Sequence, residues 1–409
     1  MSTRIGYAPP VPDPVELTSA EAAARLGVKR ETLYAYVSRG VLTRRTGPDG
    51  RSSRFVAAEV DRVAAGRRSP RRPGELATEL RTSLTSTTGH RLVYRGYDAV
   101  ALADHERFES VATLLWTGAL DPTARFAAAP ATVQAVRAAA ATLPPTATPA
   151  DRLRLAVAVG APHDPLRFDL RPEAVAGTGA RLVATLVDAL PRRGAPADGP
   201  IAQRLWSRLT AAPADPALVE VLDDALVLLA DHDLAASTFA ARVAATVRAD
   251  PWSVVAAGLA AHAGRLHGGV SGPVHRLLGR VAQGADPADE VADLLRADGV
   301  VPGFGHPLYP DGDPRATALL ARLRAAVAPG VLDPVDRVLV LVGERVPTPA
   351  NVDLALAALA LAAGFVPGAG EVVFAVARTA GWIAHSVEEY GEPPLRLRPR
   401  ALYVGPPPR

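Results

Sequence analysis

The chain reads as a mainly all-α protein, a large helical body preceded by a small winged helix-turn-helix unit. Three observations lead there. Hydrophobic residues make up 48% of the chain but aromatics only 5%, so the core must be built from Ala, Leu and Val, and Ala and Leu are strong helix formers. From about Glu75 onward apolar residues recur at helical spacing between Pro, Gly and Asp breaks, and strand-like alternation is rare. Residues 1–75, by contrast, hold 14 Lys and Arg against 8 Asp and Glu, although the whole chain carries a net charge of only +3.

At 409 residues the chain is long enough for two or three domains and a large core. It has no cysteine, which excludes disulfides, thiolate nucleophiles and cysteine-ligated metals and suits a cytoplasmic protein. Arginine has almost wholly replaced lysine, Lys29 being the only one. Met1-Ser2-Thr3-Arg4 runs into prolines rather than an apolar stretch, so no signal peptide is expected. Residues 354–370 lack charge but are Ala/Gly-rich and interrupted by Pro367. They read as a buried helix and a loop rather than a membrane span, and no membrane partner is expected.

Residues 1–14 form an N-terminal tail, and residues 15–66 a unit of their own. Thr18-Ser19-Ala20-Glu21 has the spacing of a capping box, in which the Thr hydroxyl and Glu carboxylate satisfy each other's free amides. A short helix to about Leu26, a turn at Gly27 and a second helix from about Lys29 to Ser38 follow, with Gly40 suited to a left-handed cap. Residues 42–45 and 53–56 flank Gly47-Pro48-Asp49-Gly50 and read as a small wing. The segments Ala22–Val28 and Thr32–Val37 resemble helix-turn-helix domains of the MerR/excisionase type. That resemblance implies a second helix in the major groove of double-stranded DNA. Lys29, Arg30, Thr32 and Tyr36 would face the bases, with Arg44, Arg45, Arg51 and Arg54 near phosphates. Residues 67–75, with four arginines and two prolines, read as a basic linker.

Residues 76–409 are the helical body. Residues 88–98 suggest a short hairpin before a helix, and Phe108–Gly118 an amphipathic helix ended by its glycine. Residues 121–215 yield helices and loops but no chemical motif. Then come separate islands: Ala230-Asp231-His232-Asp233, Leu266-His267-Gly268-Gly269, Gly303-Phe304-Gly305-His306, Asp313-Pro314-Arg315 and Asn351-Val352-Asp353, followed by Arg378 and Arg398. Imidazoles, aspartates and guanidinium groups on an alanine-rich background point to a site for an anionic, carbonyl-bearing substrate. No HxxxH or HExxH pairing occurs among them, so no metal is expected. His262, His275 and His385 read as structural.

These islands, in this order, resemble the citrate synthase family over about residues 80–405, joined by Tyr94–Tyr97, Ser237-Thr238-Phe239, Ala377–Trp382 and Arg398-Pro399-Arg400. The resemblance implies large and small helical domains, the small one at about 270–370, in a homodimer. It also implies condensation of an acyl-CoA, acetyl or propionyl, with oxaloacetate, giving citrate or 2-methylcitrate. Asp353 would be the base, His267 the donor to the thioester oxygen and His306 the donor to the ketone, with His232, Arg315, Arg378 and the partner-reaching Arg398 holding oxaloacetate. No cofactor is implied beyond acetyl-CoA as co-substrate.

The chemistry suits the residue types. A carboxylate is a usable base when desolvated, and a neutral imidazole can stabilise a developing oxyanion. One departure stands out. Pro307 and Pro310 occupy positions where the family carries basic residues near CoA phosphates, which moves that contact to other arginines such as Arg265 or Arg345, or weakens it. Two function classes follow: a condensing enzyme with an appended head, or a DNA-binding regulator whose former enzyme domain senses a metabolite and dimerises.

Overall fold

A computed structural model describes residues 16–38, 42–47, 52–57, 59–61, 63, 80–87, 91–345, 348–399 and 405. The chain divides into two compact units, Met1–Arg81 and Thr82–Arg409. The tail 1–14, Gly40, Arg51 and the linker 67–75 lie outside the described residues.

In the first unit, β1 (Glu16–Thr18) leads into α1 (Ser19–Leu26) and α2 (Arg30–Ser38), followed by β2 (Arg45–Thr46) and β3 (Ser53–Val56). The capping box forms as expected: Glu21 accepts from the Thr18 amide at 2.7 Å, and Thr18 Oγ1 accepts from the Glu21 amide at 3.3 Å. Gly27 closes α1 at φ 65°, a conformation that costs glycine little. The wing is an antiparallel sheet in the order β1-β3-β2, with Leu17 opposite Phe55, so the strand ahead of α1 joins it as well. Ala22, Ala23, Leu26, Leu33, Leu42, Phe55 and Val60 make the core. Tyr36, half-buried, packs partly against that core. One turn after Leu33, it lies on the same side of α2.

The second unit opens with a three-stranded meander: β4 (Thr85–Ser86), β5 (Val93–Tyr94) and β6 (Tyr97–Asp98). Its two-residue turn holds Arg95 at φ 46° and Gly96 at φ 91°. The strain on Arg95 is offset by two hydrogen bonds from its guanidinium to the Leu115 carbonyl. Helices α3 (Ala99–His105), α4 (Phe108–Thr117), α5 (Pro130–Ala140), α6 (Pro149–Gly160), α7 (Pro172–Ala189) and α8 (Ile201–Leu209) follow. Gly118 caps α4 as expected, and α4 is buried on most of its surface, Glu109 included. The Glu109 carboxylate accepts the Ile201 amide at 2.7 Å, at the open N-terminus of α8. A partner 92 residues away makes that burial tolerable.

The body continues with α9 (Pro216–Leu229), α10 (Ala236–Thr246), α11 (Pro251–His262), α12 (Ser271–Ala282), α13 (Pro287–Asp298), α14 (Pro314–Ala326), α15 (Asp333–Arg345), α16 (Val352–Ala362) and α17 (Ala369–Gly391). The uncharged stretch 354–370 is the buried helix and loop read from sequence, and no described helix is long and apolar enough to cross a membrane. The body is organised around α17, which is buried along nearly its whole length and packs on α4, α7, α9, α10 and α11. Small residues let neighbours come close. Gly258 of α11 faces the Trp382 ring, and the Gly381 amide of α17 donates to the Ala230 carbonyl at 2.9 Å.

A β-carbon at Gly381 would meet Asp231 Oδ1 at 2.4 Å and the Ala230 oxygen at 2.6 Å. Gly381→Ala is therefore expected to push α17 off the 230–232 segment and to cost about 1–3 kcal/mol. The change would be read as a lowered thermal midpoint of the second unit's transition.

Candidate functional site

Four segments bring the predicted groups together. The first is the turn after α9. The Leu229 carbonyl accepts from Arg378 Nε at 2.9 Å, and the Asp231 carbonyl accepts from the Tyr94 hydroxyl at 2.9 Å. These contacts fix His232, which is only 6% exposed. Asp233 beside it sits at φ 51°, with its carboxylate taking the Leu234 amide at 2.7 Å, a local bond that makes the left-handed conformation affordable for Asp. His232 Nε2 is 3.0 Å from the Tyr309 hydroxyl, and the His232 and His306 rings meet edge to face at 5.2 Å.

The second segment carries His306. Gly303 and Gly305, at φ 90° and 76°, turn the chain, and a β-carbon on Gly303 would crowd Val274 and Leu354. The loop is stitched to residues 349–351: the Gly305 amide donates to the Pro349 carbonyl at 2.8 Å and the Asn351 amide to the Gly303 carbonyl at 2.9 Å. Asn351 Nδ2 also donates to the Gly305 carbonyl at 2.9 Å. His306 is thereby tied to the start of α16, where Asn351 caps the helix and Asp353 stands in its first turn. His306 Nδ1 accepts the Leu308 amide at 3.2 Å, so in the neutral ring the proton is on Nε2, which becomes a donor.

Asp313 links the third and fourth segments. Its carboxylate caps α14 at the Arg315 amide (3.0 Å), receives Arg315 Nε and Nη2 (3.0 and 2.8 Å), and receives the Val352 amide at the head of α16 (3.1 Å). Burial opposes its charge, but Arg315 outweighs that and holds the carboxyl below the usual carboxylate range. One residue after Val352, burial pushes the Asp353 carboxyl up to about 7, with Arg315 opposing and Asp313 reinforcing. Asp353 Oδ1 is sealed from solvent with no hydrogen-bond partner, although the residue as a whole is only partly buried. It is an acid held poised and unpaired.

His267 completes the arrangement. Its Nε2 lies 2.7 Å from Ser237 Oγ, and Ser237 Oγ in turn accepts the Trp382 indole N–H at 3.3 Å. With the hydroxyl's own proton given to His267, the imidazole proton is left on Nδ1, the tautomer that can donate away from Ser237. Burial, then the Arg378 charge, lowers His267 to about 4. Burial, then Arg315, lowers His306 to about 4 as well, and burial with both arginines takes His232 far below its ordinary value. All three imidazoles are neutral near pH 7. Arg378 is buried, lies over the Phe374 ring at 4.7 Å, and has an unpartnered Nη2. Burial first, and Arg315 in part, depresses it to about 10, with Asp231 opposing.

Thus His232, His306, Tyr309 and Arg315 form one wall through direct contacts, and His267, Phe374 and Arg378 a second. The Arg378 charge acts on His232 as well as His267. Arg398 is exposed beyond α17, and no described contact joins it to the others. Sequence reasoning missed Ser237, Asp313 and Tyr309 as partners of the reactive groups, although each lies inside a quoted island or next to one. His385 is structural as read: its Nδ1 accepts from Arg242 at 2.8 Å and its Nε2 donates to Asp231 at 3.1 Å. In the first unit Lys29, Arg30, Arg44 and Arg45 are exposed and Thr32 is half-buried. Arg54 is half-buried with an unpartnered Nε, and Arg45 pairs with Glu16.

Comparison with known proteins matches residues 74–400 to the family described as citrate synthase, C-terminal domain, and residues 16–68 to a helix-turn-helix domain. Citrate synthase 2 of Bacillus subtilis is 30% identical over 80% of this chain and 93% of its own length. Citrate synthase of Haloferax volcanii is 38% identical over 46% of this chain and about half (51%) of that relative. Relatives named 2-methylcitrate synthase also match. A solved Thermoplasma acidophilum citrate synthase, in ternary complex with carboxymethyl coenzyme A and oxaloacetate, superposes with TM-score 0.68 at 25% identity, over 81% of this chain and 95% of that one.

Histidine titration by NMR should find His306 as the Nε2–H tautomer and His267 as the Nδ1–H tautomer. Because their folded values lie below the unfolded one near 6.5, the unfolded state binds more protons between about 4 and 6.5. Stability is accordingly expected to fall as pH drops through that window.

Proposed function

The chain belongs to the citrate synthase family, and on that premise we propose that it condenses an acyl-CoA, acetyl or propionyl, with oxaloacetate. The observation that carries this reading is Asp353, whose Oδ1 is sealed from solvent without a partner and whose carboxyl is pushed up to about 7, fixed to Arg315 and the His306 loop through Asp313 and Asn351. A structural aspartate at a helix start would instead spend its oxygens on amides, as Asp313 does.

In this mechanism the Asp353 carboxylate takes a proton from the carbon alpha to the thioester. His267 donates from Nδ1 to the thioester oxygen as negative charge develops there. The enol carbon attacks the oxaloacetate ketone, and His306 supplies a proton from Nε2 to the ketone oxygen. Water then cleaves the thioester to release the product acid and CoA. The free edge of Arg378, with Arg315 and His232, receives the oxaloacetate carboxylates. Arg398 reaches the site of a second copy in a homodimer. Neutral imidazoles suit donation without competing as bases, and their depressed values follow from burial beside two arginines. With Pro307 and Pro310 uncharged, the exposed Arg265 and Arg345 take over the CoA phosphates.

The head supports a DNA-binding role carried by Lys29, Arg30, Thr32, Arg44, Arg45, Arg51 and Arg54. A regulator reading, in which the body only senses metabolites, rests on that head alone; the unpaired Asp353 favours the enzyme.

Mixing the protein with acetyl-CoA or propionyl-CoA and oxaloacetate should release free thiol, measured with a thiol reagent. Asp353→Ala should abolish release while calorimetry still detects oxaloacetate. Since the base must be ionised, the rate should climb with pH through about 7. Thiol silence with both acyl-CoAs refutes the enzyme reading. For the head, a gel shift of duplex DNA should weaken steeply with salt, and Arg30→Ala should reduce it; salt-independent binding would point to protein contacts instead.

A further inference from the structure

The stretch 121–215 gives no side chain to the site above, yet it gathers a second concentration of cations. Arg137 of α5, Arg152 of α6, Arg192 just past α7 and Arg208 of α8 line one groove of about 420 Å³, whose other lining residues are alanine, leucine and proline. No carboxylate side chain lines it.

Helix ends explain why these arginines gather. Arg137 donates to the Asp188 carbonyl at 3.1 and 2.5 Å, Arg152 to the Ala140 carbonyl at 3.3 Å, and Arg208 Nη1 to the Leu190 carbonyl at 3.0 Å. These oxygens close α5 and α7, where the helix dipole is negative. Carbonyls satisfy N–H groups but do not cancel full charges. The acid that acts on Arg208, Asp188, is already engaged by Arg204 through two hydrogen bonds. Arg208 is 8% exposed, and its Nε has no partner. Burial, then Arg137, Arg192 and Arg204, drives its guanidinium down to about 10 against the pull of Asp188.

We propose that this groove is a binding site, separate from the substrate site, for a small anion carrying two or more linked phosphate groups. Guanidinium groups offer phosphate a planar fork of donors. Several converging on one groove suit a linked pair of phosphates better than a single carboxylate. The volume falls in the range of small-molecule sites, and the Ala, Leu and Pro wall can take an uncharged remainder of the ligand. Four guanidinium charges with no carboxylate among the lining residues would also repel one another without such a ligand.

Isothermal titration of the full chain with sodium triphosphate at low ionic strength tests this. Binding of one triphosphate per chain is expected. Arg192→Ala and Arg137→Ala, both at exposed positions, should each weaken it about tenfold. Arg208→Met should abolish it, with circular dichroism checking that the variant folds. No heat with the wild type at millimolar triphosphate, or an affinity unchanged in both exposed-site variants, would overturn the proposal. Neither outcome depends on whether thiol release is observed.

Discussion

Everything at the candidate site depends on one buried ion pair. Asp313 and Arg315 are 1% and 2% exposed, and in water so intimate a pair would gain little. Here the Asp313 carboxylate does three things at once: it caps α14, holds the Arg315 fork, and receives the first amide of α16. A buried pair of this kind need not be a net source of stability, but removing one partner strands the other at a cost of about 3–5 kcal/mol. Its value is positional. The start of α14 cannot shift relative to the start of α16 without breaking it, so Arg315 and Asp353 keep a fixed relation. The Gly303–Gly305 loop, stitched to residues 349–351, then carries His306 along with them.

A second buried network holds the opposite wall. Asp231 receives His385, and also Thr85 through a short contact; His385 receives Arg242; Arg242 binds Glu388 and Glu389; and Glu389 binds Arg396. Along this chain Arg242 and Arg396 give to carboxylates, while the His385 ring accepts from Arg242 on one nitrogen and gives to Asp231 from the other. It fastens α17 to α10 and to the segment carrying His232, beside the close approach at Gly381. Arg378 therefore projects from a helix with little freedom to move, and its unpartnered nitrogen is held in place rather than left to find a carbonyl.

The reactive groups were legible in the sequence because imidazole, carboxylate and guanidinium side chains stand out on an alanine-rich background, and because each sits in a short glycine- or proline-marked island. The head was legible for a similar reason: the capping box and Gly27 are local signals with local partners. What could not be read depended on distant contacts. Glu109 looked like the polar face of a helix until the Ile201 amide, far along the chain, appeared beside it. That Tyr36 packs partly against the head's core shows only once the wing closes over Leu33 and Phe55. Ser237 gave no hint of touching His267, since the two are 30 residues apart and joined only by helix packing. The arginines at 137, 152, 192 and 208 have no motif spacing at all; the ends of separate helices bring them together.

In a chain this rich in arginine, the cation count says little about where anions bind. Unsatisfied nitrogen atoms say more. Arg242 and Arg315 are as buried as Arg378, yet carboxylates occupy them. Arg322 has an orphan Nη1, but Asp104 and Asp224 compensate its charge. Arg378 and Arg208 differ: each is buried, each has a nitrogen without a partner, and neither has a carboxylate in its grasp. An unpaired buried charge is among the most expensive features a fold can keep. At Arg378 the cost coincides with three neutral imidazoles and a poised acid, so an anion seated there would meet the whole reactive set. At Arg208 it coincides with further arginines held only by carbonyls and with an apolar wall, so an anion there would meet charge but no acid or imidazole. The same electrostatic debt thus marks two places with different chemistry, one equipped to transform its ligand and the other only to hold it.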